Sequence, residues 1–343
     1  MQRSGEIVRN RLKGATLTFG GCLLVLALAS VVLDAPCAAE NGATAGEPPG
    51  WAFPLNRNGP PKRAADDGTM RHVPDSMVAL PAKAMADRYT AVDWHPERHP
   101  SMPDSVAYGR KPEVFACAFC HYPNGQGRPE NASLAGLSSA YIVEQVHAMR
   151  DGRRRSSQPA MLSQPLMAQV AVHARDEEVA AAAAYFAALR YQPWIRVVET
   201  DTVPKTEVAG VSMLGVVADG GTEPIGPRII EVPENLGLTE LRDDASGFVA
   251  YVPPGSIRSG NELVHSAKGA RAPCATCHGA EFKGTDVAPA LAGRSPSYLF
   301  RQLYDIRQGV RSGAAVAPMK AEVAQMSDAE MLEVVAYLAS LQP

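Results

Sequence analysis

One five-residue pattern occurs twice in this chain, as Cys117-Ala118-Phe119-Cys120-His121 and as Cys274-Ala275-Thr276-Cys277-His278. Each reads C-x-x-C-H, the spacing at which two thiols form thioether bonds to the vinyl groups of one haem. The adjacent histidine then falls against the iron as its proximal ligand. The other reading of C-x-x-C is a redox dithiol or half of a zinc site. The second copy, together with a methionine at a matching place after each word, weighs against that reading. Cys117, Cys120, Cys274 and Cys277 account for four of the six cysteines, and Cys22 and Cys37 lie in or just after an N-terminal apolar stretch. The body of the protein therefore keeps no cysteine for a disulfide, a zinc site or a nucleophile.

The words sit inside a longer repeat. Leu134-Ala135-Gly136 and Tyr141 match Leu291-Ala292-Gly293 and Tyr298 at the same distance from their words. The match continues without a gap through Gln145, Arg150 and Gly152 against Gln302, Arg307 and Gly309, and later through Asp176 and Tyr185 against Asp328 and Tyr337. Two copies of one mainly α domain are expected. Apolar spacing predicts helices over 139–151 and 296–308, each closed by a glycine, and final helices over 176–190 and 327–341. Ser327 and Glu330 form a capping box for the last of these.

The remaining segments divide the chain further. Residues 1–39 carry a basic start (Arg3, Arg9, Arg11, Lys13), an apolar run from Ala15 to Leu33 and small residues after Pro36. That is the pattern of an export signal, with an uncleaved membrane anchor as the alternative. Residues 40–100 are rich in Pro, Gly and charge. They read either as an irregular extension wrapping a haem domain, with a short helix near 80–89, or as a disordered linker. Haem domains follow at 101–192 and 254–343, separated at 193–253 by an insert with β-type residues. There a hairpin is expected between 211–217 and 228–232 across Ala218-Asp219-Gly220-Gly221. Ser256 is the expected cap of the first helix in the second domain. A formal net charge of −3 gives no sign of nucleic-acid binding.

An iron held by histidine on one face needs a sixth ligand, and a methionine thioether suits it and raises the potential. Met167 and Met319 each stand nine residues before the repeated aspartates Asp176 and Asp328. They are the expected axial ligands, with Met161 as the other choice in the first domain, while Met326 and Met331 read as core filler. Arg150 and Arg307 are candidates for pairing with haem propionates or, equally, helix-end charges. Arg153-Arg154-Arg155 reads as a solvated loop, with steering of an acidic partner to the first haem as the alternative. His147, His173 and His265 do not recur between the copies and read as packing or surface residues. His72, His95 and His99 lie in the extension, and no spacing ties them to an iron.

With these residues in place, the sequence resembles the dihaem class I cytochromes c, of the cytochrome c4 or c553-like kind. The resemblance rests on the two C-x-x-C-H words, Pro289-Ala290-Leu291-Ala292-Gly293, Tyr298 through Gly309, Pro318-Met319 and the closing Ala336-Tyr337-Leu338. It covers about residues 101–192 and 254–343, and neither the extension nor the insert. It implies two class I haem domains in tandem, each with its first and last helices packed together. It also implies two covalent haem c groups and single-electron transfer between a redox donor and a redox acceptor in the periplasm. The proline at 289 matches the family's carbonyl acceptor for the proximal imidazole, and the first domain departs there with Ala132. It departs again with Tyr122 in place of Gly279, and with a shorter approach from Gly109 to Cys117. The expectation is an electron carrier rather than an enzyme. A dihaem peroxidase or thiosulfate-oxidising cytochrome, or a haem subunit docked on a dehydrogenase, stands as the alternative. A peroxidase needs an open iron, and the thiosulfate-oxidising kind needs a cysteine ligand that this chain does not spare.

Overall fold

The computed structural model describes residues 47–57, 67–267, 269 and 271–343. The segment read as signal or anchor, 1–39, lies outside the described residues, as do Cys22 and Cys37. Among the described residues no helix is long and apolar enough to cross a membrane.

The described parts of the extension, 47–57 and 67–100, are packed against the rest of the chain, and their tryptophans do the anchoring. Trp51 lies against Phe300 with ring centroids 4.6 Å apart, and Phe53 meets Tyr304 edge-on at 5.6 Å. The Arg301 guanidinium donates to the Ala52 carbonyl over 2.8 Å. Further on, β1 (Met70–Arg71) pairs antiparallel with β2 (Leu80–Pro81). A 3-10 turn over Ala82–Ala86 takes the place of the helix expected near 80–89. Trp94 is fully buried with Val73 and Val92, and its indole donates to Leu241 O over 2.7 Å. The first stretch thus lies on the second repeat and the later one reaches the insert. An aromatic ring buries enough apolar area to hold an irregular strand of chain in place.

The first repeat runs α1 (Asp104–Ala107), α2 (Cys117–His121), α3 (Ser139–Arg150), α4 (Ser163–His173) and α5 (Asp176–Ala188). Ser138 caps α3 by accepting from the Tyr141 amide, and Gly152 closes it at φ +69°, as the pattern predicts. Helix α4, which carries Met167, is not among the helices expected from the sequence. Its low polarity without a clear apolar stripe hides it from a periodicity argument.

The insert holds β3 (Ile195–Glu199), β4 (Thr202–Pro204), β5 (Thr206–Ala209), β6 (Met213–Val216), β7 (Thr222–Pro224), β8 (Ile230–Pro233), α6 (Leu236–Glu240) and β9 (Phe248–Val252). Strand β9 is central, parallel to β3 (Val197 opposite Ala250) and antiparallel to β8 (Val232 opposite Val249). The expected hairpin is not formed. Instead β5 and β6 form one, and β4 pairs with β7. The reason is burial: all four residues of β8 are buried and so are four of the five in β9. Those two strands pair in the interior, while β6, exposed at its end, stays in a surface hairpin.

The second repeat runs α7 (Ser256–His265), α8 (Ala275–His278), α9 (Pro296–Arg307), α10 (Ala317–Val323) and α11 (Asp328–Ser340). Gly255, at φ +83°, caps α7, and Ser256 is its first residue rather than its cap. The Ser327–Glu330 capping box is present on α11. Helix α7 packs on α11 at Gly260, where a Cβ would lie 2.0 Å from Glu333 O. Only glycine permits that approach. In the first repeat the corresponding opening helix, α1, is a single turn. Leu299, Phe300, Met331 and Val335 centre one core, and Ile142, Ala183, Tyr185 and Phe186 the other.

Candidate haem sites and the face between them

Both words form single-turn helices, α2 and α8, and the two imidazoles are held alike. His121 Nδ1 lies 2.8 Å from Ala132 O, and His278 Nδ1 lies 2.8 Å from Pro289 O. A carbonyl can only accept, so the proton sits on Nδ1 and the Nε2 lone pair is free. Burial pushes both imidazoles below the usual histidine range, with the carbonyl opposing, so the neutral, ligating form is favoured. The first domain keeps this bond although Ala132 stands in place of proline.

Cys117, Cys120 and Cys274 are half-buried and Cys277 is exposed, while His278 beside it is buried. A reactive dithiol needs a thiolate at neutral pH. Here burial pushes Cys117 up to about 12 and raises Cys120 and Cys274 as well. Among the described residues, neither cysteine pair gathers a third metal-ligating side chain. The donor set fits two thioether-linked haems and not a zinc or redox dithiol centre.

Met167 on α4 is half-buried against Val146, Ala171 and Val179 of the first repeat. Met319 on α10 is half-buried against the core of the second repeat. Met161, by contrast, is 2% exposed and belongs to the second repeat's core. Met326 and Met331 are core residues of that repeat too. The arginines expected at propionates are engaged elsewhere. Arg150 bonds Asp176 at 2.7 Å and the carbonyls of Ala171 and Ala174, and Arg307 bonds Asp328 and Met326 O. Each ties the end of α3 or α9 to the start of the closing helix.

The solvated reading of Arg153-Arg154-Arg155 holds for the exposed Arg155 and is overturned for Arg154. Arg153 pairs with Glu144 and Asp151, and Arg154 is buried between the repeats. Arg154 Nη1 donates to Gln145 Oε1 of its own repeat, and Nη2 to Tyr298 Oη and Gln302 Oε1 of the other, at 2.8–3.0 Å. Arg311 reciprocates, with Nη1 on Gln302 and Nη2 on Tyr141 and Gln145, at 2.9–3.1 Å. The backbones join as well: Arg155 N donates to Val310 O over 2.9 Å and Ser312 N to Arg153 O over 2.8 Å. The face is two-fold within one chain. Arg154 and Arg311 keep the same offset as the two words, so the signal was in the sequence. It is only readable once both repeats are known to meet there.

Among the described residues no carboxylate is hydrogen-bonded to either guanidinium. Asp305, whose charge acts on Arg154, accepts instead from the Ser157 amide at 2.8 Å. Burial opposes ionisation of Tyr141, yet Arg311 and Arg154 beside it hold its hydroxyl below the usual range.

The two sites differ where the sequence departs. Tyr122 is buried at φ +64° with its ring 6.3 Å from Trp194, where the second site has Gly279 at φ +84°. A tyrosine in that region is strained and persists only when its surroundings hold it. The other histidines are accounted for. His147 lies 3.5 Å from Asp176, His173 and His265 cap their own helix turns, His72 is exposed, and His99 bonds Asp93 at 3.1 Å. His95, fully buried, has a setting of its own described below.

The Cytochrome c family model matches residues 107–190 and 265–342, each spanning one word. Cytochrome c-554(548) of Halomonas halodenitrificans is 35% identical over 22% of this chain and 84% of its own. A thiosulfate dehydrogenase electron acceptor of Thiomonas intermedia is 26% identical over 67% of this chain and 80% of its own. Among solved structures, thiosulfate dehydrogenase from Marichromatium purpuratum aligns over 67% of this chain at 24% identity, with a TM-score of 0.43. This chain spans 37% of that longer one. The chain belongs to the cytochrome c family. It is a dihaem class I c-type cytochrome, with two covalently attached haem c groups.

Proposed function

We propose that this protein is an exported, periplasmic electron carrier that takes single electrons from a dehydrogenase and passes them to a further redox partner. The observation that carries the reading is the pair of equivalent sites set across one two-fold face. In each, Cys117 and Cys120, or Cys274 and Cys277, hold the haem, and His121 or His278 supplies Nε2 to its iron. Met167 and Met319 supply the sixth ligands; Met161 is set aside because its side chain fills the core of the other repeat. When bound, haem supplies reversible one-electron chemistry.

The chain's own residues do the positioning. The Ala132 and Pro289 carbonyls fix the ring planes and make the imidazoles better donors. Arg154 and Arg311, each bonded to glutamines of both repeats and a tyrosine of the other, lock the two domains together across the shared face and so fix one site relative to the other. Tyr122 and the shortened α1 give the first site a different packing from the second, so the two potentials differ. The domain limits of 101–192 and 254–343, the insert and the extension organise around this pair, and residues 1–39 direct export or anchor the chain.

The donor is proposed from the relatives whose names make them electron acceptors of thiosulfate dehydrogenase. Thiosulfate dehydrogenase is the first partner to test. The pure protein should show a weak red-edge absorption band that disappears on reduction, two resolvable potentials and no peroxidase turnover. Mixing with thiosulfate dehydrogenase and thiosulfate should reduce both haems. High-spin features or peroxide turnover would overturn the carrier reading. A carrier that stays oxidised in the mixture would overturn the choice of donor alone.

A further inference from the structure

A buried cluster outside the haem sites joins the extension to the insert. His95 precedes the 3-10 turn Pro96–Arg98, and Asp243 and Asp244 lie in the turn between α6 and β9. All three are buried, His95 completely. His95 Nε2 is 3.5 Å from Asp243 Oδ1 and 3.9 Å from Asp244 Oδ1. Neither ring nitrogen of His95, nor Asp244 Oδ1, has a hydrogen-bond partner.

From this arrangement we infer that His95, Asp243 and Asp244 bind a divalent transition-metal ion of the zinc class, which staples the extension to the insert. The distances favour an ion over a direct ion pair. An imidazolium bonded to a carboxylate closes to about 2.7–2.9 Å. Two ligands each about 2.0–2.1 Å from a tetrahedral ion stand about 3.3 Å apart. The observed separations lie beyond the first figure and just above the second. The three ligand atoms converge within 4.8 Å of one another.

Charge points the same way. Two adjacent buried carboxylates repel, and one imidazolium would still leave a net negative charge in the interior. A divalent ion with a neutral imidazole and two carboxylates is balanced. The donor set selects the ion class: a nitrogen ligand suits zinc-like ions, whereas calcium and magnesium prefer oxygen alone.

The surroundings supply what metal ligands ordinarily have behind them. Glu97 Oε1 lies 3.6 Å from His95 Nδ1, on the side away from the aspartates, as a carboxylate that orients a ligating histidine. Asp243 Oδ1 accepts from Ala245 N at 2.9 Å, and the Asp244 carbonyl accepts from Asn124 Nδ2 at 2.6 Å. Trp94, next to His95, is already fixed to Leu241 O. The ligands are therefore held in place by groups that do not depend on the ion. Asn124 follows the first word closely, so the staple also borders the first haem domain.

The test uses the full holoprotein, treated with a chelator, dialysed and titrated with zinc alone. Elemental analysis should find one zinc per chain beside the haem iron. The chelator should lower the melting temperature and zinc should restore it, with haem absorbance unchanged throughout. His95→Gln should weaken zinc binding by more than about 100-fold, the upper range for losing a mere outer-shell partner. Its melting temperature should ignore zinc and chelator. Asp244→Asn gives the same reading should His95→Gln fail to fold. Equal zinc binding by wild type and variants, or no zinc bound at micromolar concentration, overturns the site. A preference for calcium or magnesium overturns the ion class.

Discussion

Replacing Gly260 by alanine should selectively destabilise the second haem domain. The added Cβ would stand 2.0 Å from Glu333 O, 2.7 Å from Glu333 C and 2.7 Å from Tyr337 Cβ. Two of these atoms are α11 backbone, so no side chain can turn aside, and α7 must move off α11 by about 1 Å or more. Helix propensity favours alanine by about 1 kcal/mol. Overpacking of a tight contact costs about 1–3 kcal/mol, and more when backbone must yield. We expect a net loss of about 2–3 kcal/mol, a fall in melting temperature of about 3–4 °C for a chain of this size. The movement reaches the haem word, because the Cys274 amide donates to Val264 O of α7 at 2.9 Å. The assay is thermal unfolding followed separately by helix dichroism and by haem absorbance. Gly152→Ala, where nothing lies within 4 Å but φ is +69°, serves as the control and should cost about 1–2 kcal/mol through backbone strain alone. A Gly260→Ala protein that melts with the wild type would refute the close-approach argument.

Three further outcomes follow from the site and its supports. Met167→Ala and Met319→Ala should each remove half of the red-edge band, whereas Met161→Ala should leave it whole and lower stability by about 2–4 kcal/mol, read by spectroscopy and melting. Arg154→Met and Arg311→Met should each cost about 2–4 kcal/mol in denaturant unfolding, and the double variant less than their sum, since both arginines share Gln145 and Gln302. The hydrogen bond from His99 to Asp93 raises the imidazole above its usual range, with burial opposing. A raised histidine adds stability that is complete below the unfolded value near 6.5 and fades as pH rises through the folded value. The melting-temperature gap between wild type and Asp93→Asn should therefore narrow between pH 6 and pH 9, and a gap that widens contradicts it.

Much of the haem architecture was legible because it is local. The C-x-x-C-H words, the matched glycines at 152 and 309, the Ser327–Glu330 box and the proximal carbonyls at 132 and 289 all act within a dozen or so residues of one another. Local spacing fixes local geometry, so they could be placed before any tertiary contact was known. The insert was read less well, since the partner of β8 depends on which strands are buried together, and 228–232 carries no mark of that choice. Helix α4 was missed for a related reason: its sequence has no stripe to reveal it.

By itself the sequence determined that the protein carries two haem-attachment words on two copies of one mainly α domain, and it named the cysteines and histidines proposed to serve them. The tertiary structure decided what those copies do to each other. It turned Arg154 from a solvated loop charge into half of a two-fold network with Arg311, and sent Arg150 and Arg307 to hold the closing helices. It also moved Met161 into the neighbouring core and brought His95 to Asp243 and Asp244 from nearly 150 residues away. The physical reason is range. Covalent attachment and helix caps need only neighbours along the chain, whereas burial, charge pairing and the choice among rival side chains depend on residues far apart in sequence that folding brings within a few ångströms.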